Sequence, residues 1–104
     1  MQEQEVPTIT VKELLELKKQ NSDFVILDVR ERGEYDNDNM GGKLIPLGQL
    51  PERIDELDKD ALIVVHCKSG GRSHRACEFL KGSGFKNAKN LLGGITAWNE
   101  EVNG

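Results

Sequence analysis

The chain has 104 residues, 37% hydrophobic and 31% charged, which fits one compact globular domain and leaves no room for a second. A domain of this size buries about two-thirds of the surface its unfolded chain exposes, so it needs no disulfide or metal staples; with 5% aromatics, its core must be mostly Leu, Ile and Val. Fourteen Lys and Arg against eighteen Asp and Glu give a formal charge of −4 with no basic block, which argues against nucleic acid or an anionic membrane as partner and makes any anion binding local.

No apolar run approaches the ~20 residues of a membrane span, and Met1–Pro7 has neither the basic nor the apolar region of a secretory signal. A cytoplasmic protein is expected, with residues 1–7 disordered and 8–104 forming a single domain. Cys67 and Cys77, with only His66 and His74 beside them, make neither a Cys-x-x-Cys pair nor a zinc spacing, so no metal or organic cofactor is implied. The question is then cysteine reactivity.

In chain order, Thr8-Ile9-Thr10 reads as a short edge strand running into a helix that opens on a Thr10/Glu13 capping box and carries Val11, Leu14, Leu15 and Lys18 on one face. Asn21-Ser22-Asp23 ends it. Phe24–Val29 and Leu62–His66 are nearly unbroken apolar runs, the pattern of parallel strands covered on both faces. Between them the sequence predicts a charged stretch (30–39), a Gly41-Gly42 turn, a short Leu44-Ile45 segment stopped by Pro46, and a helix over 51–57 with Leu50, Ile54 and Leu57 on one side. A third helix follows Arg72 through Ala76, Cys77, Phe79 and Leu80 to Gly82 and Gly84; 88–92 reads as a last strand and Gly93–Trp98 as a glycine turn entering a final helix. Alternating strands and helices imply right-handed crossovers and an α/β fold with helices on both faces of the sheet.

Ligand sites in such sheets gather at the carboxyl ends of the strands, where Cys67 stands on the most apolar run of the chain. Gly70-Gly71 allows backbone conformations closed to other residues, so N–H groups from Lys68 to Ser73 can turn inward as an anion-binding nest, with the following helix adding its positive end. Lys68 and Arg72 nearby favour a thiolate at Cys67, which is a nucleophile. The bland alternative is a Gly/Ser-rich turn with an incidental cysteine.

Cys67-Lys68-Ser69-Gly70-Gly71-Arg72 resembles the Cys-x-x-Gly-x-Arg loop of single-domain rhodaneses, the thiosulfate sulfurtransferase-like family, and Gly93-Gly94-Ile95-Thr96-Ala97-Trp98 resembles their Gly-Gly-x-x-x-Trp signature. Asp28-Val29-Arg30 with Glu34-Tyr35 is similar to the family's Asp-Val-Arg and Glu-Tyr elements, so the likeness runs from Ile9 to Trp98. One departure is Asn39–Leu44, where many members carry Gly-His-Ile-Pro-Gly-Ala.

The resemblance implies a small parallel sheet of about five strands flanked by helices. It also implies a sulfurtransferase moving sulfane sulfur from a small anionic donor such as thiosulfate, through a Cys67 persulfide, to a thiol or cyanide. In this reading Cys67 is catalytic, and Lys68, Ser69, Gly70, Gly71, Arg72 and Ser73 bind substrate; Arg72 has the alternative of bracing the loop through a carboxylate. Asp28 and Arg30 are supporting residues, Asp28 either bonding loop amides or pairing with Arg30 or Arg72. His66 is read as a packed core histidine, His74 as solvent-facing, Trp98 as a core anchor, and Cys77 as buried and apolar or, in the sharper alternative, a resolving thiol. The competing functions are a persulfide relay to an acceptor protein in sulfur-containing cofactor synthesis, a small phosphatase or arsenate reductase, and a non-catalytic interaction module. The loop is one residue shorter than the Cys-x-x-x-x-x-Arg ring of tyrosine phosphatases, a cradle better sized for one sulfur than for a phosphoryl group.

Overall fold

The two apolar runs form the middle of the sheet. The computed structural model describes residues 5–103. Its strands are β1 (Thr8–Ile9), β2 (Val25–Asp28), β3 (Lys43–Leu44), β4 (Ile63–His66) and β5 (Ala88–Leu91), and all pairs are parallel, in the order β1-β5-β4-β2-β3. The helices are α1 (Val11–Lys19), α2 (Arg32–Asn37), α3 (Leu50–Arg53), α4 (Gly71–Gly82) and α5 (Gly94–Asn103).

Every residue of β4 is buried because both faces of the strand are covered. Ile63 and Val65 pack with Leu50, Ala76, Cys77 and Leu80 on the face of α3 and α4, whereas Val64 packs with Leu14 and Leu91 on the face of α1 and α5. This period of two places Cys67 on the α4 side and His66 on the other. The α1 capping box is formed as expected: Glu13 N–H donates to Thr10 Oγ1 at 3.0 Å and Thr10 N–H to Glu13 Oε1 at 2.9 Å.

Several elements differ from the expectation. The charged stretch after Arg30 contains α2, opened by a capping box between Glu31 and Glu34. It has no buried residue, so no apolar period announces it. The helix expected over 51–57 divides into the four-residue α3, beginning at Leu50, and a 3-10 turn over Ile54–Glu56; Leu50 and Leu57 are nonetheless buried on one cluster with Ile54 against it. Phe79, placed in the apolar pattern of α4, is exposed, as is Leu92 just past β5.

Of the expected disordered segment 1–7, residues 1–4 lie outside the described residues. Val6 packs against the core, the Pro7 carbonyl accepts the Asn90 N–H at 2.9 Å, and Lys81 Nζ donates to the Glu5 carbonyl at 2.7 Å. Residues 39–44 lead into β3, with the Tyr35 hydroxyl donating to the Gly42 carbonyl at 2.9 Å. None of the described helices is long and apolar enough to cross a membrane.

Candidate functional site

Cys67 is the first residue past β4, at the carboxyl end of the sheet, and is 1% exposed. The chain leaves the strand, turns over the sulfur and enters α4 within four residues. Gly70 makes that turn with φ +120, a value that strains any side-chain-bearing residue, and its N–H donates to Cys67 Sγ at 3.1 Å. Gly71 is already the first residue of α4 and takes no left-handed conformation, so only one of the two glycines is conformationally required. The Ser73 hydroxyl lies 3.4 Å from the sulfur.

Burial alone would push the Cys67 thiol up. The Ser73 hydroxyl and the N–H groups of Ser73, Gly70 and Ser69 stabilise the anion more than burial penalises it, and the thiol sits below its ordinary value. Cys77, one helical turn past Ser73 in the same core, has no such donors, and burial pushes its thiol up to about 12. The two cysteines are thus chemically opposite.

Two residues outside the predicted set hold the loop. Asn90 of β5 is buried; its Nδ2 donates to the Gly70 carbonyl at 3.2 Å, which orients its Oδ1 to accept from the Ser73 hydroxyl. That hydroxyl has a single proton, contested by Asn90 Oδ1, the Gly70 carbonyl and Sγ, of which Asn90 is nearest. The backbone donors face no such choice. Asn90 thus ties both the Gly70 carbonyl and the Ser73 hydroxyl to β5. Gly94 is the second: Ile95 N–H donates to the Cys67 carbonyl at 2.9 Å and Thr96 N–H to the Lys68 carbonyl at 3.1 Å, so the start of α5 seats directly on the loop backbone. A Cβ at Gly94 would stand 2.5 Å from both of those carbonyl oxygens. The Gly93-Gly94 pair was legible as a turn signal; its contact with the loop was not.

The expected cations are differently employed. Arg72 pairs with Glu34 through two hydrogen bonds of 2.8 and 2.9 Å, the bracing arrangement, and that guanidinium with the Glu31 N–H holds the Glu34 carboxyl down at about 2. Asp28, wholly buried, accepts from the Arg30 N–H and from Arg30 Nε at 3.0 Å and from Nη2 at 2.8 Å, while Nη2 also reaches the Asp38 carbonyl. Asp28 therefore makes the structural ion pair with Arg30 and bonds no loop amide. Lys68 and Ser69 are exposed at the rim, and among the described residues Lys68 makes no ion pair. His66 is fully buried, with Nδ1 3.4 Å from the Cys67 carbonyl and Nε2 3.7 Å from Asp28 Oδ2; burial pulls it below the ordinary imidazole value, against the opposing pull of Asp28. His74 is exposed beside Glu78, and Trp98 packs half-buried on the α1 face with Lys18 Nζ 5.0 Å from its ring centre.

The sequence and the fold have counterparts in known proteins. The Rhodanese-like domain model matches residues 10–101. The chain belongs to this family. A putative sulfurtransferase of Bacillus subtilis, YtwF, is 35% identical, with 98% of this chain aligned to 96% of that protein. A putative sulfur carrier protein of the same organism, YrkF, is 34% identical over 89% of this chain and 51% of its own length. The crystal structure of a rhodanese-related protein from Thermoplasma volcanium superposes with a TM-score of 0.82 at 34% identity, covering 92% of this rhodanese-like chain and 93% of that one. The five-stranded parallel sheet is the fold of these relatives.

Proposed function

We propose that this rhodanese-like domain is a sulfurtransferase whose nucleophile is Cys67. The observation that carries the reading is one buried sulfur that accepts from the Gly70 N–H and lies against the Ser73 hydroxyl, with the N–H groups of Ser69 and Ser73 adding to the stabilisation of its anion. The Cys67 thiolate attacks the sulfane sulfur of a donor such as thiosulfate; the donor's S–S bond breaks, sulfite leaves with the electron pair, and a Cys67 persulfide anion remains. The same N–H groups then face the charge on the outer sulfur. A thiolate or cyanide attacks that outer sulfur, and Cys67 leaves as the thiolate it began as. Cys77, buried and held protonated, plays no part.

The names of relatives support the reading: YtwF as a putative sulfurtransferase, YrkF as a putative sulfur carrier. The second name favours one further role, delivery of the persulfide sulfur to a protein acceptor, which uses the same first step. Initial rates with donor and acceptor varied together test the scheme. Parallel double-reciprocal lines are expected of two half-reactions sharing a persulfide enzyme; intersecting lines, which require both substrates bound at once, would overturn it.

A further inference from the structure

Resting on that reading, we infer that the donor this site selects carries a single negative charge on its terminal sulfur, as in a thiosulfonate or a perthiolate, rather than the two charges of thiosulfate, and that Glu34 is the residue that sets this. Donor approach brings an anion to a thiolate, so it depends on cations at the mouth. The loop has two. Arg72, which feels the charge on Cys67, is held by both oxygens of Glu34, at 2.8 and 2.9 Å, so the carboxylate offsets the one loop guanidinium that acts on the sulfur. Glu31, next to Glu34 at the start of α2, also acts on Arg72. Arg30 is consumed by Asp28 and by the carbonyls of Glu34 and Asp38. Lys68 remains as the loop's unpaired cation among the described residues; Arg75, a turn further along α4, is exposed and screened by solvent.

Repulsion by the carboxylates scales with donor charge, so a dianion is penalised twice as much in free energy as a monoanion. With a thiosulfonate the chemistry is otherwise the same: Cys67 takes the sulfane sulfur, the S–S bond breaks, and a sulfinate leaves with the electron pair. With a perthiolate the leaving group is a thiolate.

Thiosulfate and benzenethiosulfonate therefore form a matched pair of probes, with cyanide as acceptor. In Glu34→Gln, kcat/KM is expected to rise about fivefold for thiosulfate and about twofold for benzenethiosulfonate, the smaller factor being of the order of one charge–charge repulsion in a high-dielectric medium and the larger roughly its square. Glu31→Gln keeps an oxygen to accept the Glu34 N–H and so preserves the start of α2; it is expected to shift the ratio of the two donors in the same direction, and it carries the test if Glu34→Gln misfolds. An unchanged ratio in Glu31→Gln, or equal loss for both donors in a folded Glu34→Gln, would show that the carboxylates only brace the loop and would overturn the inference. Failure of both donors to leave sulfur on Cys67 would instead refute the transfer reading beneath it.

Discussion

Replacing Gly94 by Ala tests whether the last helix holds the Cys67 loop in place. The new Cβ falls 2.5 Å from the carbonyl oxygens of Cys67 and Lys68, both backbone atoms, so the loop or α5 must move. At φ +58 an Ala also adds about 1 kcal/mol of backbone strain. Moving α5 away breaks the hydrogen bonds from Ile95 and Thr96 to those carbonyls, roughly 1 kcal/mol each. The sum is about 3 kcal/mol, which for a domain near 100 residues lowers Tm by roughly 12 °C. Gly71→Ala is the control: its Cβ meets nothing within 4 Å and the position is the helical start of α4, so Tm should hold or rise by roughly 2 °C. Thermal unfolding by circular dichroism, with the rate of Cys67 alkylation below the melting range, reads both effects. If Gly94→Ala melts with wild type and its Cys67 reacts at the wild-type rate, the seating of α5 on the loop is not what positions the sulfur.

Three further outcomes are expected. Alkylation of the native protein should follow one thiolate titration with its midpoint below the 9.0 of an ordinary thiol, assigned by peptide mapping to Cys67, while Cys77 stays unmodified until the protein unfolds; early labelling of Cys77 would contradict its burial. Ser73→Ala, which removes the hydroxyl 3.4 Å from the sulfur, should raise that midpoint by about one pH unit, the worth of one hydrogen bond to a charged sulfur, and an unmoved profile in a folded variant would leave the anion to the backbone N–H groups alone. Glu34 has a folded value of about 2 against an ordinary 4.5, so its pairing with Arg72 stabilises the fold above pH 4.5 and loses that contribution as pH falls toward 2. The pair is partly exposed and is worth less than about 1 kcal/mol after screening, so Glu34→Gln should lower Tm by roughly 4 °C or less at pH 7, by less still at pH 3, and a gap that widens in acid would reverse the sign.

The parts legible in the sequence were those coded by neighbours. Thr10 and Glu13 announced the start of α1, the runs ending at Asp28 and His66 announced the two central parallel strands, and Cys67 before Gly70 announced a turn over a sulfur. What stayed hidden depends on residues far apart in the chain. α2 has no buried face and is anchored by Glu34 meeting Arg72, 38 residues on. That meeting changes the electrostatic meaning of Arg72 from a free cation to half of a pair. Asn90 resembles any polar residue in a short strand until the β4–β5 register sets it beside the Gly70 carbonyl. A glycine's reason for being glycine, at Gly94, lies in the carbonyls of Cys67 and Lys68, which local sequence does not name.

The central claim, that one buried but ionised sulfur receives and releases a sulfane sulfur, is tested most directly by intact mass. The protein is incubated with thiosulfate or benzenethiosulfonate, freed of donor, and weighed before and after a thiol reductant, beside Cys67→Ser and Cys77→Ser. The account predicts a gain of about 32 Da, one sulfur atom, that is lost to the reductant, absent in Cys67→Ser and kept in Cys77→Ser. An adduct that persists in Cys67→Ser, or a Cys67 that takes up sulfur from neither donor, would contradict it.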